Sequence, residues 1–253
     1  MIRLGMKRKT FKLSGDKVRD LAKGHGSGIA SDKVTVEGLP VGSMTREKPA
    51  NPQDSGWRFF SATEARSYLE DPGNFTVFDV NSIVNFDIDI LPFLHSEVGS
   101  TFMRDRNGRF APKGELPAPP VRRLTREWSL KLNSGFRQRI EDAALVLWAP
   151  NRTIWITAWD AKKGESPDQR LAWIKRDANP TPVERYEPAH PSQKRFGYLL
   201  MEDDDPRNIR WGLYAFSVSP GGGHLQMAYY FDHRIDLDWA LKTWESVEFG
   251  AAT

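Results

Sequence analysis

The sequence predicts an α+β protein of two domains, each an antiparallel or mixed sheet with packed helices. Three observations predict this class: the length of the chain, a proline-rich segment near its middle, and residue patterns typical of both strands and helices. The chain has 253 residues, which is long for one average domain and enough for two cores. Hydrophobic residues make up 39% and charged residues 27%, a balance typical of soluble globular proteins. Both halves contain strand-like alternation and helix start signals.

The segment APKGELPAPPVRR, residues 111–123, contains four prolines. Proline removes a backbone donor and fixes its own φ, so this density favours an extended connector over a helix or a central strand. We place the boundary near Glu115. The predicted domains are residues 1–115 and 116–253.

Short elements of both kinds are predicted in the first half. DKVTVEG alternates Val34 and Val36 with polar neighbours, and with LPVGSMTRE it predicts two strands joined by a turn. Ser61 and Glu64 have the spacing of a capping box, so a short helix is predicted to begin there and to stop at residues 71–73. NFTVFDVNSIVNF is predicted to be a β-rich run.

The second half predicts an antiparallel sheet with helices packed on it. ALVLWA and RTIWITAW are predicted strands separated by a turn at Pro150 and Asn151. SPDQRLAWIKR predicts a helix because Ser166 can cap it and Gln169 completes the capping box. RFGYLLM, RWGLYAFSV and HLQMAYYF predict three more strands. DLDWALKTWESV predicts a closing helix behind an Asp236 cap.

The stretch NPQDSGWRFF raises the question of a serine nucleophile. Ser55 lacks the preceding glycine of the Gly-x-Ser-x-Gly elbow, whereas Asp54 and Gly56 are typical turn residues. We therefore interpret the stretch as a folded corner in which Trp57 anchors a core. On this interpretation, Ser55→Ala costs little stability.

Other candidate chemistry is sparse. The chain has no cysteine and five histidines, and no pair of histidines has a metal-binding spacing. Asp87 and Asp89 in FDIDI are predicted on one side of an extended strand, where they could hold a hard cation. With His95 they define a minor alternative, a metal-dependent hydrolase. PGGGH is predicted to be a hairpin turn, and no cofactor is predicted.

Tryptophans are frequent in the second half. Trp148, Trp155, Trp159 and Trp211 could stack a ligand or bases. At strand spacing, core packing is the favoured interpretation.

The formal net charge of +3 is unevenly distributed. Basic residues crowd the amino terminus, at Arg3, Lys7, Arg8, Lys9, Lys12, Lys17, Arg19 and Lys23. We favour the interpretation that this basic run is simply exposed to solvent, over one in which it contacts nucleic acid. From residue 63 to residue 99 the sign inverts. Such an acidic concentration is usually a solvated face, and its size here adds the hypothesis of a basic partner. Neither a signal peptide nor a long apolar run is present, so we expect a cytoplasmic protein with no membrane partner.

Three segments of the first half, IASDKVTVEGLPVGSMTREKP, DSGWRFFSATEARSYLEDPGNFTVFDVNSIVNFDIDILPFL and VGSTFMRD, carry a family resemblance. From about Phe11 to Phe110 the chain resembles a bacterial family of polymorphic-toxin immunity proteins, immunity-protein family thirty-three. The resemblance rests on Ser31-Asp32, Arg46-Glu47, Asp54-Ser55-Gly56-Trp57, Asp79-Val80-Asn81 and Gly99. It implies a compact α+β domain that neutralises a secreted toxin by binding, with no catalytic residues. The second half, from WSLKLNSGF onwards, is similar at the level of fold to the Mog1/PsbP-like α/β/α sandwich, which transfers no function.

The resulting hypothesis is an immunity protein that binds a cognate toxin domain one-to-one and occludes its active site. A nuclease toxin would present a basic site to the acidic surface. The predicted toxin-binding residues are Glu70, Asp71, Asp79, Asp87, Asp89 and Glu97. The alternative is a nucleic-acid or small-ligand binding module that uses the basic leader and the aromatic second domain.

Overall fold

A computed structural model describes residues 9–202 and 210–250. The chain divides into two compact units, Met1–Ala118 and Pro119–Thr253. The first residues of the basic leader, Arg3, Lys7 and Arg8, lie outside the described part of the chain. No helix in the described part is long and apolar enough to cross a membrane.

The amino-terminal unit is built on a six-stranded mixed sheet. Its strands are β1 Ser27–Ser31, β2 Ser43–Arg46, β3 Asp54–Phe60, β4 Phe75–Asp79, β5 Thr101–Arg104 and β6 Phe110–Pro112. They lie in the order β4-β1-β3-β2-β5-β6. The pair β1 and β3 is parallel, and the other neighbours are antiparallel.

Helices of this unit are short. The α-helices are α1 Asp32–Thr35, α2 Arg66–Leu69 and α3 Val80–Phe86, and the 3₁₀ helices are Gly15–Lys17, Pro72–Asn74 and Ile88–Phe93. One face of the sheet carries the core: Trp57 and Phe59 of β3 are fully buried and cluster with Ile83 of α3. Between them, Arg58 points to the opposite, partly exposed face. This alternation follows from the two-residue period of a strand.

The structure corrects several sequence predictions in this unit. The strand predicted at Val34 and Val36 is the single turn of α1, and Val34 is buried in the core. The β-rich run ends at Asp79, whose carboxylate accepts the backbone N–H of Asn81 and caps α3. A capping side chain there stabilises the helix start and stops the strand.

The third correction concerns the predicted capping box. Glu64 accepts hydrogen bonds from the backbone N–H and the hydroxyl of Ser61, at 2.7 and 2.9 Å. The pair closes a turn, however, and α2 begins only at Arg66. The predicted helix stop is confirmed, because Asp71 caps the 3₁₀ helix Pro72–Asn74.

The carboxy-terminal unit contains a seven-stranded sheet and a three-stranded sheet, both antiparallel. The large sheet contains β9 Arg137–Glu141, β10 Ala144–Ala149, β11 Arg152–Trp159, β12 Glu184–Tyr186, β13 Lys194–Glu202, β14 Arg210–Val218 and β15 His224–Phe231. Its order is β12-β13-β14-β15-β11-β10-β9. The small sheet contains β7 Val121–Arg123, β8 Trp128–Lys131 and β16 Glu248–Phe249. The helices are α4 Pro167–Asp177 and α5 Leu237–Glu245, and a 3₁₀ helix spans Arg234–Asp236.

The predicted strands and helices of the second half are confirmed. Ser166 and Gln169 form the predicted capping box of α4. Asp236 occupies the N-cap position of α5, but its side chain makes no capping hydrogen bond. It accepts a hydrogen bond from buried Arg152 at 2.5 Å instead. The buried ion pair therefore replaces the predicted cap.

The two faces of the large sheet carry different hydrophobic clusters. The main core, which includes Leu147, Ile154 and Ile156, lies on one face. The other face carries a smaller cluster around Ile174 of α4 and Phe196 of β13. The fold class, α+β with mixed and antiparallel sheets, is therefore as predicted.

The core-packing prediction is wrong for three tryptophans. Trp148, Trp155 and Trp159 alternate with the main-core residues of β10 and β11 and so lie on the opposite face. Trp159 is 51% exposed, and the other two are partly exposed. Trp211 does pack against the main core.

Candidate functional site

The six acidic residues of the predicted surface do not form one patch. Asp79 ends β4, the terminal strand of the amino-terminal sheet, and Glu70 and Asp71 precede that strand. Asp87 and Asp89 contact Arg104 of β5. Three strands separate β4 from β5, which places the two groups about 19 Å apart across the sheet at the usual strand spacing.

Asp87 is an internal residue. It is 9% exposed, and its two oxygens accept hydrogen bonds from Nη2 of Arg104 at 2.9 and 2.7 Å. One of them also accepts the backbone N–H of Val41 at 2.8 Å. A carboxylate with this set of donors stabilises the domain and offers little surface to a partner.

The strand predicted for FDIDI is absent. Residues Ile88–Phe93 form a 3₁₀ helix instead, and Asp87 caps it through the N–H of Asp89. The second carboxylate, Asp89, accepts a hydrogen bond from Nη1 of Arg104 at 2.9 Å. The guanidinium thus lies between the two carboxylates. Within residues 9–202 and 210–250, no group of three or more His, Asp or Glu side chains is placed to hold a metal ion.

Glu97 lies in the loop before β5. Burial lowers the pKa of Arg46, and the negative charge of Glu97 opposes that shift. Glu97 therefore favours the charged form of Arg46, the last residue of β2.

The acidic residues beside β4 are more open. Glu70, Asp71 and Asp79 are all exposed. Asp71 and Asp79 each use one oxygen to accept a backbone N–H, from Gly73 and Asn81 respectively. Glu70 pairs with exposed Arg66 at 3.2 Å, a geometry that contributes little stability. These carboxylates remain accessible to a partner.

Apolar side chains accompany this acidic group. Val77, at the centre of β4, is 65% exposed, and Leu69 at the end of α2 is 46% exposed. Lys9 binds the carbonyl oxygen of Phe75 and so occupies one end of the strand. The sequence analysis missed Val77, because the FTVFD pattern does not reveal that this strand is the last in its sheet.

The DSGW motif is a structural corner. Ser55 donates its hydroxyl hydrogen to the carbonyl of Ser27 at 2.7 Å and accepts the N–H of Trp57 at 3.1 Å. Gly56 has φ +81°, and a Cβ there would lie 2.1 Å from the carbonyl oxygen of Glu47, so no other residue type fits. These contacts use the serine hydroxyl for structure.

Asp54 and Arg58 complete the corner. The guanidinium of Arg58 donates to both carboxylate oxygens of Asp54, at 3.0 and 2.9 Å. The hydrogen bonds from Arg58 hold the pKa of Asp54 well below its usual range. A carboxylate of this kind is ionised at neutral pH and is a poor general base.

Two histidines form a pair that their sequence spacing did not predict. The rings of His25 and His95 lie 4.6 Å apart in an edge-to-face arrangement. Seventy positions separate them in the sequence, so only the folded chain brings them together.

The carboxy-terminal unit has an open cleft of about 540 Å³. The lining includes Trp128, Phe249, and Gly221 and Gly223 of the β14–β15 hairpin. Nearby, burial and the charge of Arg170 lower the pKa of His224 to about 4. The Arg170 side chain also donates to the carbonyl of Asp160 at 3.1 Å, which ties α4 to the end of β11. PGGGH forms the predicted hairpin.

Known proteins give a family match for the amino-terminal half and weak structural likenesses. No curated protein matches the chain. A crystal structure of a protein from Bacteroides thetaiotaomicron VPI-5482 is 8% identical with a TM-score of 0.39, over 48% of this chain and 44% of that one. The chain thus covers less than half of that protein. Residues 28–113 match the model of the "Immunity protein Imm33 domain" family, which confirms the resemblance of the amino-terminal half.

Proposed function

We propose that this protein neutralises a cognate antibacterial toxin by binding it through the amino-terminal unit. The observation that carries the proposal is the family match over residues 28–113, since an immunity domain suggests a toxin-neutralising role without catalysis. The DSGW motif supports it, because its hydroxyl and carboxylate are engaged in internal hydrogen bonds.

The side of β4 is the best docking surface for the toxin. Exposed Val77 and Leu69 would supply apolar contact. The exposed carboxylates of Asp79, at the end of β4, and of Glu70 and Asp71, which follow Leu69 in the sequence, would add negative charge. An apolar centre with a charged rim is the usual anatomy of a protein interface. We call these five residues the β4 surface.

The chemistry of the β4 surface favours a basic partner. β4 spans about 13 Å at the usual rise per residue, with Asp79 at its carboxyl end and with Glu70 and Asp71 in the segment that precedes its amino end. A nuclease toxin binds phosphate with basic groups, so an acidic surface would attract its active site and speed association. Occlusion of that site would then protect the cell. Asp87 has a structural role in this proposal and is not part of the interface.

Co-expression tests the proposed function. The protein encoded by the neighbouring gene is expressed with and without this chain, and cell survival and complex stoichiometry are measured. We expect survival and a one-to-one complex that resists dilution. Failure to bind any neighbouring gene product, or protection that depends on turnover of a small molecule, would sink the proposal.

A further inference from the structure

The open face of the large carboxy-terminal sheet carries a row of aromatic side chains. Trp148, Trp155 and Trp159 lie on the face opposite the main core. From the position of Trp148, opposite Thr153, to Trp159, β11 advances six residues, or about 20 Å. We call these three tryptophans the aromatic ladder.

Polar but uncharged groups lie between the rings. Thr153 and Thr157 alternate with Trp155 and Trp159 along β11 and so share their face. Gln226 of β15 lies opposite Thr157 and accepts the indole N–H of Trp159 at 3.2 Å. Hydroxyl and amide groups can both donate and accept hydrogen bonds.

β9 places two arginines and one glutamate beside the ladder, because Arg137 lies opposite Trp148, Arg139 opposite Val146 and Glu141 opposite Ala144. The guanidinium of Arg139 lies 4.8 Å from the ring centre of Trp148, and the same side chain pairs with Glu141 at 2.6 Å. A single-stranded nucleic acid requires a basic groove along its backbone, whereas these three side chains leave one net positive charge on β9, at the Trp148 end of the ladder.

The position of the strands in the sheet and the size of the face restrict which other macromolecules could bind there. β10, β11 and β15 are interior strands with a neighbour on both sides, so a peptide cannot join there as an added strand. A ladder about 20 Å long and two or three strands wide covers on the order of 300 Å². A stable protein interface buries about 800 Å² on each partner, so the ladder fits a single extended chain.

We propose that the aromatic ladder binds an extended neutral polysaccharide. The face of an indole ring is electron-rich and attracts the C–H groups of a sugar ring stacked on it. The threonine hydroxyls and the Gln226 amide then exchange hydrogen bonds with the sugar hydroxyls. This inference concerns the carboxy-terminal unit alone and does not depend on the toxin-binding proposal.

The test applies the full-length protein to an array of neutral glycans, and the retained glycans are titrated by calorimetry. We expect at least one to bind, with affinity unchanged between low and high salt. Trp155→Ala and Trp159→Ala should each weaken binding by roughly tenfold or more, as expected when a stacking ring is lost.

Ile140→Ala is the matched control. Ile140 is 72% exposed on β9 and lies opposite Leu145, away from the ladder, so binding should not change. Urea denaturation checks that all variants are folded, and Trp159→Phe should retain part of the affinity because it keeps a ring.

Three results would overturn the proposal. The first is that no neutral glycan binds. The second is that binding survives the double replacement Trp155→Ala and Trp159→Ala. The third is that oligothymidylate or a proline-rich peptide binds more tightly than any glycan and loses its affinity in the same variants.

Discussion

Arg104 binds both carboxylate oxygens of Asp87 through one guanidinium nitrogen, at 2.9 and 2.7 Å. The side chains are 15% and 7% exposed, so the pair is nearly removed from water. The Asp87 carboxylate also holds the backbone N–H of Val41, which precedes β2. This ion pair therefore ties the 3₁₀ helix after α3 to two parts of the sheet.

Replacing Arg104 with methionine should destabilise the protein by about 3 to 5 kcal/mol, because a buried carboxylate loses its partner. Arg104→Lys should recover only part of the loss, since lysine lacks the planar fork. Chemical denaturation measures both, with exposed Arg106→Met as the control. An Arg104→Met variant as stable as the control would show that the pair contributes nothing.

Trp57→Ala should cost about 3 to 5 kcal/mol, the usual range for a deleted buried aromatic. Trp57 is fully buried, and its indole N–H donates to the carbonyl of Leu94. Ser55→Ala should cost about 1 to 3 kcal/mol, because it removes the hydroxyl that accepts the buried N–H of Trp57 and donates to the carbonyl of Ser27. This cost in stability is larger than the small cost that the sequence predicted for Ser55→Ala. Loss of toxin neutralisation in Ser55→Ala at unchanged stability would contradict the structural role.

Local signals explain which elements the sequence could predict. The capping box formed by Ser166 and Gln169 depends on only four consecutive residues, so the sequence predicted the start of α4. By contrast, α1 is one turn long and is held by the burial of Val34. Its alternating pattern equally suited a strand, and tertiary packing decided between them.

The candidate site was only partly visible for a similar reason. The acidic concentration between residues 63 and 99 can be read from the sequence. The order of strands cannot, because it depends on pairing between distant segments. That order separates Asp79 from Asp87 and leaves Val77 on a terminal strand.

Protonation of His224 should make the folding stability depend on pH. Its folded pKa is lowered to about 4, whereas the unfolded chain has a value of about 6.5. Between those values the unfolded chain binds a proton that the folded chain does not bind. Stability is therefore complete above about pH 6.5 and is lost as the pH falls toward 4, by up to about 1.4 kcal/mol per pH unit. Denaturation of His224→Gln should give a flatter profile, and parallel profiles would refute this assignment.

The proline-rich connector should be the first site of proteolysis. Residues 113–118 are exposed and form no helix or strand, and such segments are the usual sites of nicking. Brief trypsin treatment should cut between Lys113 and Arg123 and release two resistant fragments. First cleavage between Val34 and Phe78 would count against two independent units.

The role of the β4 surface can be tested by removing its charge while keeping its hydrogen bonds. The triple variant Glu70→Gln, Asp71→Asn and Asp79→Asn loses three negative charges and retains side chains that can cap. The matched control, Asp16→Asn, Asp20→Asn and Glu37→Gln, loses the same charge at exposed positions elsewhere in the unit. Both variants should fold and keep the stability of the parent within about 1 kcal/mol.

The association rate of each variant with the neighbouring toxin, measured across a salt series, tests the central claim most directly. We predict that the β4-surface variant associates about tenfold more slowly at low salt and that the control does not. The difference should vanish in high salt, where the screening length falls to about 3 Å at 1 M. Equal rates for the two variants at low salt would contradict docking at the β4 surface. Absence of any complex with the parent protein would contradict the immunity function itself.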